Sequence, residues 1–118
     1  MPDEPRRKAI AADYFRRLND GDVDAVVELF APEGRIEHPL GRPARRGRDA
    51  QRDYAAAQIR DQVRIETGLM VAAQDDRQVV VPHTVSRGGG PDRPAIGILR
   101  IGPSGLIEQL RILEGTDR

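Results

Sequence analysis

Apolar residues follow one period in the first half of this chain and another in the second. Ile10, Tyr14 and Leu18 recur four apart with Phe15 beside them, the stripe of an amphipathic helix running from about Glu4 to Asn19. Asn19-Asp20-Gly21 ends that helix, Gly21 being suited to the left-handed conformation at a C-terminus. Asp22 is a natural N-cap. Val23, Val26, Val27 and Phe30 then fall at i, i+3, i+4 and i+7, which predicts a second helix stopped by Pro32 and Gly34. Arg35 to His38 predicts a short strand closed by Pro39, and Gly41 to Gly47 a loop rich in proline and arginine. The alanine-rich stretch from Asp49 to about Arg60, carrying Tyr54 and Ile59, predicts a third helix.

Beyond it the period becomes two. Val63, Ile65, Thr67 and Leu69 alternate with polar residues, in a strand that can continue through Ala73 to a turn at Asp75-Asp76. Gln78 to Arg87 is the next strand, with Val79, Val81, His83 and Val85 on one face. Pro82 lacks a ladder donor, so this strand is expected at a sheet edge or with a bulge. Gly88 to Asp92 is a loop, Ala95 to Ile101 a strand, Pro103-Ser104-Gly105 a turn, and Leu106 to Leu113 the last strand. Helices followed by an antiparallel meander define an α+β domain whose sheet packs one face on the helices, with a small-ligand cavity expected between the layers.

Length and composition narrow this further. The 118 residues suit one domain covering 1–118, and with no cysteine there are no disulfides, thiolate nucleophiles or thiolate metal ligands. Nineteen basic residues balance nineteen acidic ones, which argues against nucleic acid and anionic membranes as partners. No apolar run reaches the ~20 residues of a membrane span. The opening Met1-Pro2-Asp3-Glu4-Pro5 has no signal-peptide core, so a cytoplasmic location is expected. The aromatic residues are Tyr14, Phe15, Phe30 and Tyr54, leaving a core mainly of Val, Ile, Leu and Ala.

Chemistry-bearing residues are few. His38 ends a short strand before a proline, where an exposed strand-end histidine and a general base at a cavity rim are both open readings. His83 lies on an apolar face, more often the place of a satisfied core histidine than of a catalyst. The two histidines lack a third ligand at suitable spacing, so no metal is expected. Tyr14 and Tyr54 face the interior from two helices, as core residues or as hydroxyl donors to a developing oxyanion. The cluster Arg42, Arg45, Arg46, Arg48 and Arg52 has acidic neighbours and no aromatic platform, which makes it a solvated loop. On the last strand Glu108 and Glu114 share a face with Leu110 and Ile112. If that face is the inner one, a partly buried carboxylate with a raised pKa is expected.

The run from Tyr14 to Asp24 (YFRRLNDGDVD), then Val27 to Pro32 (VELFAP) and Ile36 to Gly41 (IEHPLG), resembles the ketosteroid isomerases and, more broadly, the SnoaL-like and nuclear transport factor two-like superfamily. The similarity continues through Gly47-Arg48-Asp49-Ala50 and the closing Gly105 to Arg111, covering essentially the whole chain. It implies a cone of three helices on a curved, mostly antiparallel sheet, a deep apolar pocket and a homodimer. It also implies proton transfer by a base with a tyrosine and a protonated acid as oxyanion hole. By position the tyrosine is Tyr14, the base falls on His38, the acid falls on Gly97, and His83 stands at a pocket-facing aromatic.

These readings together predict a cofactor-free acid–base enzyme acting on a small hydrophobic molecule such as a steroid, polyketide or terpenoid. The reaction is an isomerase-, lyase- or cyclase-type proton transfer. His38 is the general base, Tyr14 the oxyanion donor and His83 a second donor or proton shuttle, with Tyr54, Phe30, Leu99, Leu110 and Ile112 lining the substrate pocket. The alternatives are a non-catalytic small-ligand or association module of the same fold, or an epoxide hydrolase-type variant.

Overall fold

The structure, a computed structural model, describes residues 2–75 and 77–116. Helix α1 spans Glu4–Asp20, its N-terminus capped by the Asp3 side chain, which accepts from the Arg6 N–H. Gly21, at φ +78°, turns the chain out of it and donates to the Leu18 carbonyl. The stripe Ala11, Tyr14, Phe15 and Leu18 is buried against the sheet. Asp22 caps α2 through the Ala25 N–H, as its residue type predicts.

Here expectation and structure part. Helix α2 is only Val23–Val27, and Phe30 opens strand β1, Phe30–Glu37. The helical spacing of Phe30 is real, but the backbone pairing wins: the Ile107 N–H donates to the Leu29 carbonyl at 2.8 Å, and Phe30 sits opposite Ile107. Pro32 and Gly34 therefore do not end a helix. They lie where the β1 register shifts, between Phe30 and Arg35. A Cβ at Gly34 would stand 2.9 Å from the Ile107 carbonyl oxygen, so the close approach there needs glycine.

That irregularity leaves carbonyls without ladder partners, and helix α3, Arg48–Arg60, supplies them. Gln51, buried, donates from Nε2 to the Ala31 and Gly34 carbonyls at 3.0 and 3.2 Å. Arg48 donates to the Val27 and Phe30 carbonyls and to Gln51 Oε1. Two residues of the expected loop, Arg45–Arg46, form a short strand β2 beside β1.

The remaining strands are β3 (Val63–Thr67), β4 (Val71–Ala72), β5 (Gln78–Arg87), β6 (Arg93–Ile101) and β7 (Ile107–Glu114). They build one sheet in the order β2-β1-β7-β6-β5-β3, with β4 also on β5; β1 and β7 are parallel and the other pairs antiparallel. The long strand expected from Val63 towards Ala73 breaks at Gly68 to Met70, leaving Leu69 83% exposed. This break answers Pro82, which lies neither on an edge strand nor at a register shift, since β5 is interior. A residue's N–H and C=O point to the same side of a strand. The Pro82 carbonyl accepts from Gly68 at 2.7 Å, so its missing donor faces the gap between β3 and β4. Of the expected turn at Asp75-Asp76, Asp75 accepts from the Arg77 and Gln78 N–H groups, while Asp76 lies outside the described residues.

The inner sheet face carries Val79, Val81, His83 and Val85 from β5, Ala95, Gly97, Leu99 and Ile101 from β6, and Leu110 and Ile112 from β7. The three helices cover it, which is the arrangement the sequence predicts. No helix among the described residues is long and apolar enough to cross a membrane.

Replacing Gln51 by leucine keeps its bulk but takes the Ala31 carbonyl's donor and one of the two on the Gly34 carbonyl, which keeps the Gly47 N–H at 3.3 Å. Urea denaturation of Gln51→Leu should give a loss of about 1–3 kcal/mol; a loss within error of zero would mean the β1 carbonyls find other partners.

Candidate active site

At one end of the layer between helices and sheet, five elements bring polar side chains together: Tyr14 from α1, Tyr54 and Gln58 from α3, His38 just after β1, His83 and Arg87 from β5, and Glu114 from β7. Apolar walls come from Phe15, Leu18, Ile65, Val85 and Ile112. The enclosed space is about 10 Å³ for the centre of a water-sized sphere, room for one water molecule. The deep pocket that the resemblance implies is here a narrow one, filled by its own walls. The Phe15 and His83 rings meet at a tilt of 44°, 5.0 Å between ring centres. A Cβ at Gly97 would meet Phe15 Cζ at 3.2 Å, Ile112 Cδ1 at 3.4 Å and His83 Cε1 at 3.6 Å. The position matching the family's oxyanion-hole acid is thus packed over by two rings and an isoleucine.

Hydrogen bonding fixes the roles of the ring nitrogens. Arg87 donates to both oxygens of Glu114, from Nη1 to Oε1 at 2.9 Å and from Nη2 to Oε2 at 2.6 Å. Arg87 holds that carboxyl below its ordinary range, and the hydrogen bonds outweigh its partial burial. The raised pKa expected of an inward carboxylate on this strand is therefore reversed at Glu114. The other candidate, Glu108, falls in the register shift between the Arg100–Gln109 and Ile101–Ile107 pairs, where it is half exposed and ion-paired to Arg100.

An ionised carboxylate only accepts, so the 2.8 Å contact between His38 Nε2 and Glu114 Oε2 places a proton on Nε2. In the neutral ring Nδ1 then carries the lone pair and accepts from the Tyr54 hydroxyl at 2.6 Å. Burial lowers the His38 pKa; Glu114 opposes this, while Arg87 and His83 add to it. His38 is thus an oriented, partly buried imidazole whose surroundings favour the neutral form.

His83 is oriented differently. Its Nδ1 donates to the Val81 carbonyl at 2.9 Å, which leaves Nε2 as an acceptor while the ring is neutral. Burial lowers its pKa as well. The donor role expected for His83 is available only to its imidazolium form, which this environment disfavours. The Tyr14 side chain is buried, and its hydroxyl makes no hydrogen bond of ordinary length and angle, with the Tyr54 hydroxyl beside it as the acceptor for a weak one. Burial first, then the Tyr54 hydroxyl, raise its pKa well above the ordinary tyrosine value. Tyr54 is likewise raised, chiefly by burial, with the Tyr14 hydroxyl opposing. Tyr14 is thus an O–H held only weakly by its neighbour.

Of the residues expected to line the pocket, Tyr54 and Ile112 do so. Phe30, Leu99 and Leu110 do not: they are packed in the core, Phe30 edge-on to Tyr14 at 5.9 Å between ring centres. Arg87 and Gln58 were not anticipated. Gln58 accepts from Arg87 Nη2 at 2.9 Å. Arg87 had a readable signal, because the alternation that puts Val79, Val81, His83 and Val85 inward puts Arg87 on the same face at the strand's end. Broader surface hollows exist, such as that between Arg35, Arg100 and Glu108, but they are open and bring together no tyrosine and no histidine. Among the described residues no three of His, Asp and Glu stand close enough to share a metal ion.

A helix-covered, mostly antiparallel sheet with a polar cluster at one end defines the class. Residues 11–109 match the SnoaL-like domain, and the chain belongs to that family. It is 37% identical over 123 aligned residues to the epoxide hydrolase LasB of Streptomyces lasalocidi, covering 98% of this chain. It spans only 44% of that relative's length. It is also 37% identical to SalBIII, an epoxide hydrolase/cyclase-like enzyme whose structure is described in connection with pyran ring formation in the polyether salinomycin. The TM-score is 0.91, over 98% of this chain and 95% of that one. An NTF2-like protein of unknown function from Cytophaga hutchinsonii has the same fold at 14% identity, with TM-score 0.75 over 98% of this chain and 93% of the other.

The site sets a sign for pH dependence. His38 and His83 take up protons less readily folded than unfolded, so their contribution is complete above the unfolded value of 6.5 and is lost as pH falls below it. Glu114, held below 4.5, adds a second loss at lower pH. The urea midpoint should therefore be level at neutral pH and decline from about pH 6.5 downward; a midpoint that holds until carboxylates titrate would mean that neither imidazole is buried in solution.

Proposed function

We propose that the protein is a cofactor-free, epoxide-opening enzyme acting on an apolar, polyether-type polyketide, with ring closure by an internal hydroxyl as its main reaction. One observation carries this reading. A neutral, oriented imidazole at His38 and a buried tyrosine hydroxyl at Tyr14, held only weakly by Tyr54, border the same small cavity. Opening an epoxide by an alcohol needs a group to take the alcohol's proton and a donor beside the epoxide oxygen as it becomes an alkoxide. His38 fits the first task and Tyr14 the second. The likeness to LasB, an epoxide hydrolase, and to SalBIII, an epoxide hydrolase/cyclase-like enzyme, supports the reaction class.

The size of the space favours cyclisation over hydrolysis. With room for about one water and walls of Phe15, Leu18, Val85 and Ile112, a substrate entering it displaces the solvent that would compete with its own hydroxyl. The substrate must also push side chains aside. That requirement favours a second reading, a module that binds a small ligand without turning it over. The two readings separate in one assay. Incubation with linear hydroxy-epoxides, followed by chromatography and mass spectrometry, should give cyclic ether above the uncatalysed rate. His38→Ala should lower kcat at least ~100-fold, and Tyr14→Phe should lower it by ~10²–10³. Ligand retention with no product would select the binding module, and unchanged turnover in His38→Ala would remove His38 from the mechanism.

Within this reading the protein is a cytoplasmic homodimer. Ile96 and Leu113, paired across β6 and β7 and exposed on the outer sheet face, support association through that face. Light scattering at micromolar concentration should return twice the chain mass of 13.1 kDa; a monomer would refute the dimer.

A further inference from the structure

The reading of His38 as base leaves a difficulty. The nitrogen that carries its lone pair, Nδ1, is already occupied by the Tyr54 hydroxyl at 2.6 Å, and Nε2 is occupied by Glu114. A substrate hydroxyl therefore cannot reach His38 without displacing Tyr54, whose ring is buried and anchored on α3. We infer that Glu114, gripped by Arg87, is the positioning residue that aims the His38 lone pair at Tyr54, and that Tyr54 carries the substrate's proton to His38.

The geometry supports each link. Glu114 is the last residue of β7, on the same face as Leu110 and Ile112, with its side chain 14% exposed. A carboxylate so placed among two phenols and two imidazoles needs a fixed cation, and Arg87 meets it on both oxygens. Gln58 accepts from the same guanidinium, which ties β5, β7 and α3 together around one plane. With Arg87 holding Glu114 ionised, His38 has one neutral tautomer available, the one with its lone pair towards Tyr54. The charged and titratable groups around His38 are Tyr54 on α3, Glu114 on β7 and Arg87 and His83 on β5. Tyr14 on α1 completes the wall, and Arg45 on β2 acts on Tyr54.

The step balances in protons and electrons. The substrate O–H bond breaks as Tyr54 Oη receives its proton, and the proton already on Tyr54 passes to His38 Nδ1. The freed oxygen pair forms a bond to an epoxide carbon while the epoxide C–O bond breaks, and the alkoxide left on the epoxide oxygen accepts a hydrogen bond from Tyr14. The His38 imidazolium, facing the Glu114 carboxylate, then returns the proton through Tyr54 to that alkoxide. The substrate is isomerised and the protein is unchanged. Tyr54 never holds a net charge, which suits a phenol that burial makes hard to ionise.

This inference rests on the proposed epoxide-opening reaction, so its test has one readout that does not. Nitrogen-15 NMR of the histidine rings should find His38 with its proton on Nε2 and a deshielded proton signal from the bond to Glu114. Glu114→Gln should move that signal upfield and shift the His38 titration downward, since its supporting carboxylate is gone. In turnover, Glu114→Gln should lower kcat about ten- to a hundredfold with a smaller change in KM, and move the acidic limb of the pH–rate profile the same way. Arg87→Lys should restore more of kcat than Arg87→Met, and serves if Glu114→Gln fails to fold. Tyr54→Phe should lose at least about a hundredfold in kcat while leaving the His38–Glu114 proton signal in place. A His38 signal and titration unchanged in Glu114→Gln would overturn the positioning role, and wild-type kcat in Tyr54→Phe would overturn the relay. If the wild type turns over no hydroxy-epoxide, the reaction class fails, whereas the NMR result still decides the role of Glu114.

Discussion

Glu114 can lie at the mouth of an apolar cavity, against an imidazole and close to a phenol, only because Arg87 lies across both of its oxygens. Without that guanidinium the carboxylate would be an uncompensated, partly buried charge, and its cheapest escape would be to take a proton. A neutral carboxyl would donate as readily as accept, and the single tautomer of His38 would be lost with it. The orientation of the imidazole, the direction of the Tyr54 hydroxyl and the coupling of α3 to β5 and β7 through Gln58 all follow from one ion pair. The pair joins β5 to β7 and its Gln58 bond adds α3, three elements distant in sequence, so the site assembles only when the sheet and the third helix are both in place.

A second constraint is steric. The inner sheet face narrows where Gly97 lies beneath Phe15, Ile112 and His83, and these groups come so close that a Cβ would already crowd the Phe15 ring. Glycine there leaves room for the Phe15 ring and so for close packing of α1, whose preceding side chain, Tyr14, borders the polar cluster. The same packing leaves only a water's worth of space. A ligand therefore gains its room by moving Phe15 or Ile112 rather than by filling a preformed void, and dispersion contacts that the walls now make with each other must be replaced by contacts with the ligand.

Most of the fold was legible because its signals are local. The α1 stripe, the Asp22 cap, the Gly21 exit and the alternation of β5 each depend on residues a few positions apart. The failures share the opposite character. Phe30 has helical spacing, yet it is drawn into β1 by Ile107, a partner 77 positions away. The irregular carbonyls of β1 are satisfied by Gln51 and Arg48 from α3, which no periodicity announces. Pro82 was read as an edge or bulge marker, and what it marks is a gap in the neighbouring strand. At the site, Tyr14, Tyr54, His38, His83 and Ile112 could be picked out by type and position, whereas Phe30, Leu99 and Leu110 are equally apolar and simply belong to the core. Hydrophobicity reports burial, not which buried residues face the cavity.

Histidine at position 38 also explains why the charged pair stands behind it. A carboxylate base becomes neutral when it takes a proton and then needs no partner. An imidazole becomes a cation, and in a cavity with this little water a new cation is costly unless an anion is already waiting. Where the resemblance to ketosteroid isomerases places an aspartate, a histidine therefore brings a requirement for a fixed carboxylate at its far nitrogen. That carboxylate in turn requires a cation to keep it ionised before the proton arrives. His38, Glu114 and Arg87 meet these requirements in order, from the cavity outward, with exposure rising from 13% and 14% for the first two side chains to 28% for the last. In the proposed reaction the permanent positive charge, on Arg87, thus lies nearest solvent and the transient one, on His38, lies deeper, against a carboxylate already in place.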